Sequence, residues 1–198
     1  MTLKFALDTN CIIELDEQRA HAVELRQLSE LAKFGLIHLS ILGISASENQ
    51  KGGGSLPSFS DFTARLLRLD LGHLEILKPI GFWDVTYWDW SLNCETHDFQ
   101  VLDNIWKVLF PKISSSWLDY AKSKKADEQD TSTRTYLKWR NALCDAQIAW
   151  ATVKYGQDVL VTLNTKDFQK NSLALKSVGI RSILTPSEAL THAPTHPY

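Results

Sequence analysis

The sequence predicts an α/β fold with a central, mainly parallel sheet, and two observations support that prediction. Short apolar segments rich in β-branched residues alternate with longer segments whose apolar residues recur at helical spacing. Strands that are joined through helices run parallel, because the crossover returns the chain to the same end of the sheet. A length of 198 residues with 44% hydrophobic content is enough for one domain with a substantial core.

The individual elements follow from apolar spacing and from turn residues. The predicted strands are residues 3–7, 37–41, 74–77, 158–163 and 180–184. The predicted helices begin after the first strand and at Ser45, and cover residues 19–34, 58–71, 135–155, 173–178 and a short stretch after 185. The last of these opens with Thr185-Pro186-Ser187-Glu188, a capping box with proline at the first helical position.

Between residues 81 and 134 the alternation of strands and helices is lost. This stretch holds five of the seven tryptophans and ends in a polar run of mixed charge. We predict a single domain spanning residues 1–198, with residues 81–134 as a tryptophan-rich insertion that is helical at 101–109 and 116–124. Residues 122–130 have mixed charge and few apolar side chains and predict a solvated, mobile loop.

Composition narrows the functional classes. The formal net charge of −2 excludes a protein that coats nucleic acid through a global basic field, although a local basic surface remains compatible with it. Three cysteines without a C-x-x-C spacing predict reduced thiols rather than disulfides or a zinc site. No leader peptide and no apolar run of membrane-spanning length is evident, so we expect a soluble cytoplasmic protein with no membrane partner.

Asp8 is the first candidate for chemistry. It comes directly after the first buried strand, and ligands of open α/β sheets bind at the carboxyl ends of the strands. An equally simple interpretation is that Asp8 only caps the next helix, because Asp accepts hydrogen bonds from backbone N–H groups well at that position.

Three more acidic residues occupy comparable places. Glu48 follows the second strand, Asp145 lies within the long apolar helix and Asp167 follows the strand at 158–163. Glu48 has the alternative role of completing a capping box with Ser45, and Asp167 that of a loop or cap residue. Asp145 has few structural explanations, since burying an unpaired carboxylate on an apolar helix is costly.

Three asparagines accompany these carboxylates. Asn10 lies two residues after Asp8, Asn141 one helical turn before Asp145, and Asn164 three residues before Asp167. Each is a candidate to line the site or to contact substrate, and Asn164 also fits an ordinary turn former.

Clustered carboxylates predict a bound cation, because they repel one another unless a cation neutralises them. Ligand sets made of Asp and Glu oxygens suit Mg²⁺ or Mn²⁺ better than Zn²⁺. Such an ion activates water and stabilises charge on a phosphate, which is the chemistry of phosphodiester hydrolysis.

The motifs resemble those of the PIN domain. The resemblance is carried by Leu7-Asp8-Thr9-Asn10, by a Glu in the helix after the second strand, by residues 141–149 and 160–168, and by Ile183-Leu184-Thr185-Pro186-Ser187-Glu188. It implies a three-layer α/β/α sandwich and an acidic Mg²⁺ or Mn²⁺ site. It further implies a ribonuclease, often the toxin of a toxin–antitoxin pair, with RNA as substrate, a small antitoxin as partner and a homodimer as the expected assembly.

Position by position, Asp8, Glu48 and Asp145 match the three principal acidic ligands of that family. Asn164 stands where many members carry an aspartate, so Asp167 is assigned as the fourth acidic residue and Asn164 as a polar supporting group. The stretch at 81–134 has no recognised counterpart.

Two other functions are compatible with parts of the sequence. A phosphatase of the haloacid-dehalogenase type would use Asp8 as nucleophile, but it needs a second aspartate two residues later, where Asn10 stands. A PIN-fold module that binds RNA or protein without cutting is the alternative of a different class.

Candidate contacts to a nucleic acid are basic and aromatic. Lys and Arg side chains contact phosphates without reading sequence, and exposed aromatic rings stack on unpaired bases. The candidates are Arg65, Arg68, Lys122, Lys124, Lys125, Arg134, Lys138, Arg140, Lys166, Trp88 and Trp90. The simpler interpretation, which we favour, is that most of the tryptophans form the core of the insertion and most of the charged side chains form a solvated face.

Overall fold

Five parallel strands form the central sheet of the computed structural model, which describes residues 2–47 and 56–194. The strands are β1 (Lys4–Leu7), β2 (His38–Leu42), β3 (Glu75–Leu77), β4 (Val159–Val161) and β5 (Ser182–Leu184). Their order in the sheet is β3-β2-β1-β4-β5, so β1 is central and pairs on either side with β2 and β4. The α/β class and the parallel sheet are confirmed.

Helices connect the strands as the alternating pattern predicts. The α-helices of the described residues are α1 (Thr9–Asp16), α2 (Ala22–Lys33), α3 (Phe59–Arg68), α4 (Thr96–Leu109), α5 (Trp117–Lys124), α6 (Arg134–Lys154), α7 (Ser172–Ser177) and α8 (Pro186–His192). The capping box that opens α8 is formed as predicted, with the Thr185 hydroxyl and the Glu188 carboxylate each accepting from the other's backbone N–H.

Both faces of the sheet are covered by apolar side chains. In β1, Phe5 and Leu7 belong to the core that contains residues of α1, α2 and α3, whereas Ala6 belongs to the core formed with α4 and α6. This alternation is the period-two geometry of a strand buried on both sides. The arrangement is compatible with a three-layer sandwich.

The tryptophan-rich stretch packs onto α6 and shares a core with it. Trp106 of α4 and Trp117 of α5 lie with ring centroids 6.4 and 5.9 Å from Trp139 of α6. The two predicted helices of this stretch are confirmed, and α4 begins five residues earlier than predicted. Its status as an insertion within one domain stays a prediction.

The stretch at 122–130 is more ordered than its composition predicts. Lys122, Ser123 and Lys124 form the end of α5, and the Trp117 indole N–H donates to the carbonyl of Glu128 at 2.9 Å. The prediction of a mobile loop from residue 122 is therefore wrong for the first three residues. The hydrogen bond of the Trp117 indole and the packing of α5 order this segment although its composition is polar.

The second strand is followed by a 3-10 turn at Gly43–Ser47 rather than directly by an α-helix. A Cβ atom at Gly43 would lie 2.8 Å from the carbonyl oxygen of Leu77, so a glycine lets this turn approach β3 closely. The remainder of the predicted helix, with Glu48, and the glycine-rich stretch at 52–55 lie outside the described residues.

The three cysteines are not joined in disulfides, as predicted. Cys11 and Cys144 are buried thiols, and Cys94 is half-buried. Within residues 2–47 and 56–194, none of the helices is both long and apolar enough to span a bilayer.

Candidate functional site

Asp8 lies at the carboxyl end of the central strand and is almost fully buried, with 2% of its surface exposed. Its backbone N–H continues the pairing with β4 by donating to Val161 at 3.0 Å. One carboxylate oxygen, Oδ1, accepts from the backbone N–H of Thr9 at 2.6 Å and caps α1. The capping interpretation of Asp8 is therefore confirmed, but it uses only one of the two oxygens.

The second oxygen of Asp8 accepts two side-chain hydrogen bonds. Thr162 Oγ1 donates at 2.5 Å and Asn10 Nδ2 donates at 2.6 Å. Burial raises the pKa of Asp8 from 3.8 to about 6, although the bonds from Thr162, Thr9 and Asn10 each lower it. Within the described part of the chain, no Lys, Arg or His forms an ion pair with this carboxylate.

A chain of hydrogen bonds links Asp8 to the turn after β4. Thr162 Oγ1 also accepts from the backbone N–H of Asn164 at 2.9 Å, and Asn164 Oδ1 accepts from the backbone N–H of Asp167 at 3.0 Å. Asn10 closes the network by accepting from the backbone N–H of Leu163 at 3.0 Å. Asn164 thus caps a short π-helical turn, Thr165–Gln169, which holds Asp167 in place.

Asp145 and Asp167 line one open cleft of about 780 Å³. Asn141, which lies one turn before Asp145 on α6, lines the same cleft and is exposed. Asp145 is half-buried, in agreement with a carboxylate that faces the cleft from an otherwise apolar helix. The predicted residues Asp145, Asp167 and Asn141 therefore line one cleft, whereas Asp8 is not among its lining residues and is linked only to the backbone of Asp167, through Thr162 and Asn164.

The remaining residues that line the cleft are basic and apolar. Its cations are Lys112, Arg134, Lys138 and Lys166, and none of the four forms an ion pair with another described residue. Its apolar lining comes from Leu109, Phe110, Pro111, Ile113, Leu137 and Ala142. Three of the predicted phosphate contacts, Arg134, Lys138 and Lys166, thus lie in the cleft.

Glu48 lies outside the described residues, so its place in the site stays a prediction. Its neighbour Ser47 lies at this edge of the sheet and accepts a hydrogen bond through its carbonyl from the guanidinium of Arg140 on α6. Among residues 2–47 and 56–194, no three His, Cys, Asp or Glu side chains are close enough together to hold a metal ion.

Several other predicted nucleic-acid contacts have structural roles instead. Arg140 is 7% exposed and bonds Ser47, while Arg65 is 7% exposed and pairs with Asp16 at 2.9 Å. Trp90 is half-buried and stacks on Phe59 with ring centroids 4.6 Å apart. The packing of Trp90 agrees with the interpretation of the tryptophans as core residues. Arg65 and Arg140 are neither solvated nor available to phosphates, because their long side chains are buried.

Sequence reasoning missed two contributors to the site. In the sequence, Thr162 is only one residue of the predicted strand at 158–163, whereas in the structure its position right after β4 and next to Asp8 makes it the main side-chain donor to that carboxylate. The turn after α4, residues 110–113, was not singled out, and its only signal was Pro111 following an apolar helix.

The chain matches no protein-family model, no curated protein and no solved structure. The resemblance to the PIN domain is therefore carried by the sequence motifs alone.

Proposed function

We propose that this chain is a Mg²⁺- or Mn²⁺-dependent endoribonuclease with a three-layer α/β/α sandwich of the PIN type. The observation that carries the proposal is the buried carboxylate of Asp8, which lacks a described cationic partner and is linked to a cleft containing Asp145 and Asp167. A desolvated carboxylate without a counter-charge is costly, and a divalent cation is the simplest group to neutralise it.

The donor set fits a hard cation. The ligands offered by Asp8, Asp145 and Asp167 are all oxygen atoms, which Mg²⁺ and Mn²⁺ prefer. Because the described residues alone do not form a three-ligand group, the proposal requires Glu48, the residue after Ser47, as a further ligand. When bound, the ion activates water for attack on phosphorus and stabilises the charge that builds on the phosphate.

The protein side chains have distinct roles in this proposal. Asp8 and Asp145 bind the ion, and Asp167 completes its surroundings or orients the attacking water. Thr162 and Asn10 hold the Asp8 carboxylate in one orientation through the bonds at 2.5 and 2.6 Å. Lys112, Arg134, Lys138 and Lys166 attract and hold the phosphates of the substrate.

The partners of the proposed enzyme follow from the same reasoning. RNA is the substrate. If the enzyme is the toxin of a pair, a small antitoxin protein binds it, and a homodimer is the expected assembly.

A binding module without cleavage is the second candidate, and Asn164 favours it. This residue stands at an acidic position of the resembled family, and here its side chain only caps the turn before Asp167. A module of this kind would retain the basic cleft but would not need the ion.

The test is cleavage of a mixed, structured RNA by the purified protein in Mg²⁺, in Mn²⁺ and in EDTA. The matched variant is Asp8→Asn, Asp145→Asn, which removes two charges while keeping the shapes of the side chains. The proposal expects cleavage that needs the metal and is lost in the variant. Equal cleavage by the variant, or none with either ion, would support the binding module.

A further inference from the structure

The basic and apolar part of the cleft has no role in holding an ion, and its construction indicates a ligand. One face of α6 carries Arg134, Lys138, Asn141 and Asp145, at helical spacings of four, three and four residues. From Arg134 to Asp145, eleven steps along the helix, the face extends about 16 Å. It therefore leads from positive charge to the carboxylate proposed to do chemistry.

The apolar wall facing this helix is a fixed turn. Residues 110–113 close a turn in which the backbone N–H of Ile113 donates to Phe110 at 3.0 Å, and the Trp106 indole N–H donates to the carbonyl of Ile113 at 2.7 Å. The ring of Phe110 lies edge-to-face against Trp106, with centroids 5.6 Å apart. Trp106 is itself buried and packs near Trp139 of α6, so this packing fixes the position of the turn relative to α6.

The mixture of charge and apolar surface in this wall selects among ligands. Lys112 is exposed at the turn beside the half-buried Phe110 and the exposed Pro111. A polyanion without apolar parts would leave this apolar surface unused, and an apolar ligand would leave the cations unused. A nucleic-acid strand offers both, with phosphates for the cations and base faces for the aromatic ring.

We propose that the turn at residues 110–113 is a base-binding subsite for a single-stranded nucleic acid, in which Phe110 supports one unpaired base while Lys112, Arg134 and Lys138 hold the adjoining phosphates. An unpaired strand is required, because a base inside a duplex cannot leave its stack to reach the ring without a cost. This inference rests on the proposed function in taking the cleft as the place where the nucleic acid binds, but it concerns binding and not cleavage.

The test measures binding of a fluorescent single-stranded RNA by anisotropy in EDTA, where a metal-dependent cut cannot occur. Phe110→Leu keeps an apolar side chain against Trp106 and is expected to weaken binding roughly five- to a hundredfold. Phe34→Leu, at an exposed aromatic residue after α2, is the matched control and is expected to have no effect. A strand of the same length built from abasic ribose should bind wild type and Phe110→Leu equally.

The phosphate contacts are tested through salt. With Lys112, Arg134 and Lys138 engaged, wild-type affinity should fall about twentyfold between 50 and 200 mM salt, since each contact to a single strand contributes a slope of about −0.7. Arg134→Gln and Lys138→Gln should each reduce that slope by about 0.7, whereas Lys176→Gln, which lies outside the cleft, should leave it unchanged.

The outcomes separate this subsite from the proposed enzyme. Weaker binding by Phe110→Leu on the normal strand only, together with the reduced slopes, supports the subsite whether or not RNA is cut. Unchanged binding by Phe110→Leu, an equal loss on the abasic strand, tighter binding of a duplex, or no binding by wild type would overturn it. Metal-dependent cleavage by wild type would then still support the nuclease.

Discussion

Replacing Asp8 by asparagine should make the protein progressively more stable relative to wild type as the pH rises from 4 to neutral, while removing its proposed activity. The buried carboxyl group has its pKa raised from 3.8 to about 6, so the folded state holds this proton more tightly than the unfolded state does. Between pH 4 and pH 6 the wild type therefore loses stability as the pH rises, and the two pKa values correspond to about 3 kcal/mol. Asparagine keeps the shape of the side chain and carries no charge to bury.

The assay is urea unfolding of wild type and Asp8→Asn in EDTA from pH 4 to pH 7.5. The free energy of unfolding of the variant minus that of wild type should increase by about 2–3 kcal/mol over this range, and any constant effect of the lost hydrogen-bond geometry cancels in the comparison. Asp98→Asn is the control for a carboxylate whose pKa is lowered. The ion pair of Asp98 with Lys154 at 2.8 Å lowers the pKa of Asp98, so its stabilising effect is already nearly complete at pH 4, and the difference between that variant and wild type should stay nearly level from pH 4 to pH 7.5. A difference for Asp8→Asn that stays level with pH would refute the account of this carboxylate.

Three further substitutions test how the site is held. Thr162→Val removes the 2.5 Å donor to Asp8, so the pKa of Asp8 should rise further and the free energy of unfolding at pH 8 should fall by about 1.5–3 kcal/mol. Urea unfolding at pH 5 and pH 8 measures the loss of stability at each pH. An equal loss of stability at the two pH values would contradict this account of Asp8. Gly43→Ala should destabilise by about 1–3 kcal/mol, because the added methyl group meets the backbone carbonyl of Leu77; a melting temperature equal to wild type would show that the turn can move aside. Trp150→Ala, at a side chain with no exposed surface, should destabilise by about 3–5 kcal/mol in the same measurement, and a loss below 1 kcal/mol would mean that this core is loosely packed.

The sheet and its helices could be predicted from sequence because their signals are local. The strand at 158–163 is a run of apolar and β-branched residues, and the observed β4 lies within it. The capping box at Thr185 predicts the start of α8 correctly, since the same hydrogen bonds appear in the structure. The turn at Gly43–Ser47 was missed because its shape depends on contact with β3, which is thirty residues away in sequence.

The site was predicted in part, for a physical reason. Asp8, Asp145 and Asp167 were chosen for their charge and their places at strand ends or on an apolar helix, and both properties can be read from sequence. Thr162 was missed because its hydroxyl becomes important only through a partner 154 positions away. Arg65 and Arg140 were misassigned for the converse reason, since nothing local distinguishes a buried arginine from a solvated one.

The central claim is that a divalent ion bound by these carboxylates cuts RNA, and one titration tests it most directly. Mn²⁺ is added to the protein while bound ion is followed by electron paramagnetic resonance and RNA cleavage is followed in the same samples. The account predicts that the cleavage rate rises in proportion to the Mn²⁺ bound by the protein, and that Asp145→Asn lowers both together. Cleavage that proceeds with no ion bound to the chain, or that Asp145→Asn leaves unchanged, would contradict it.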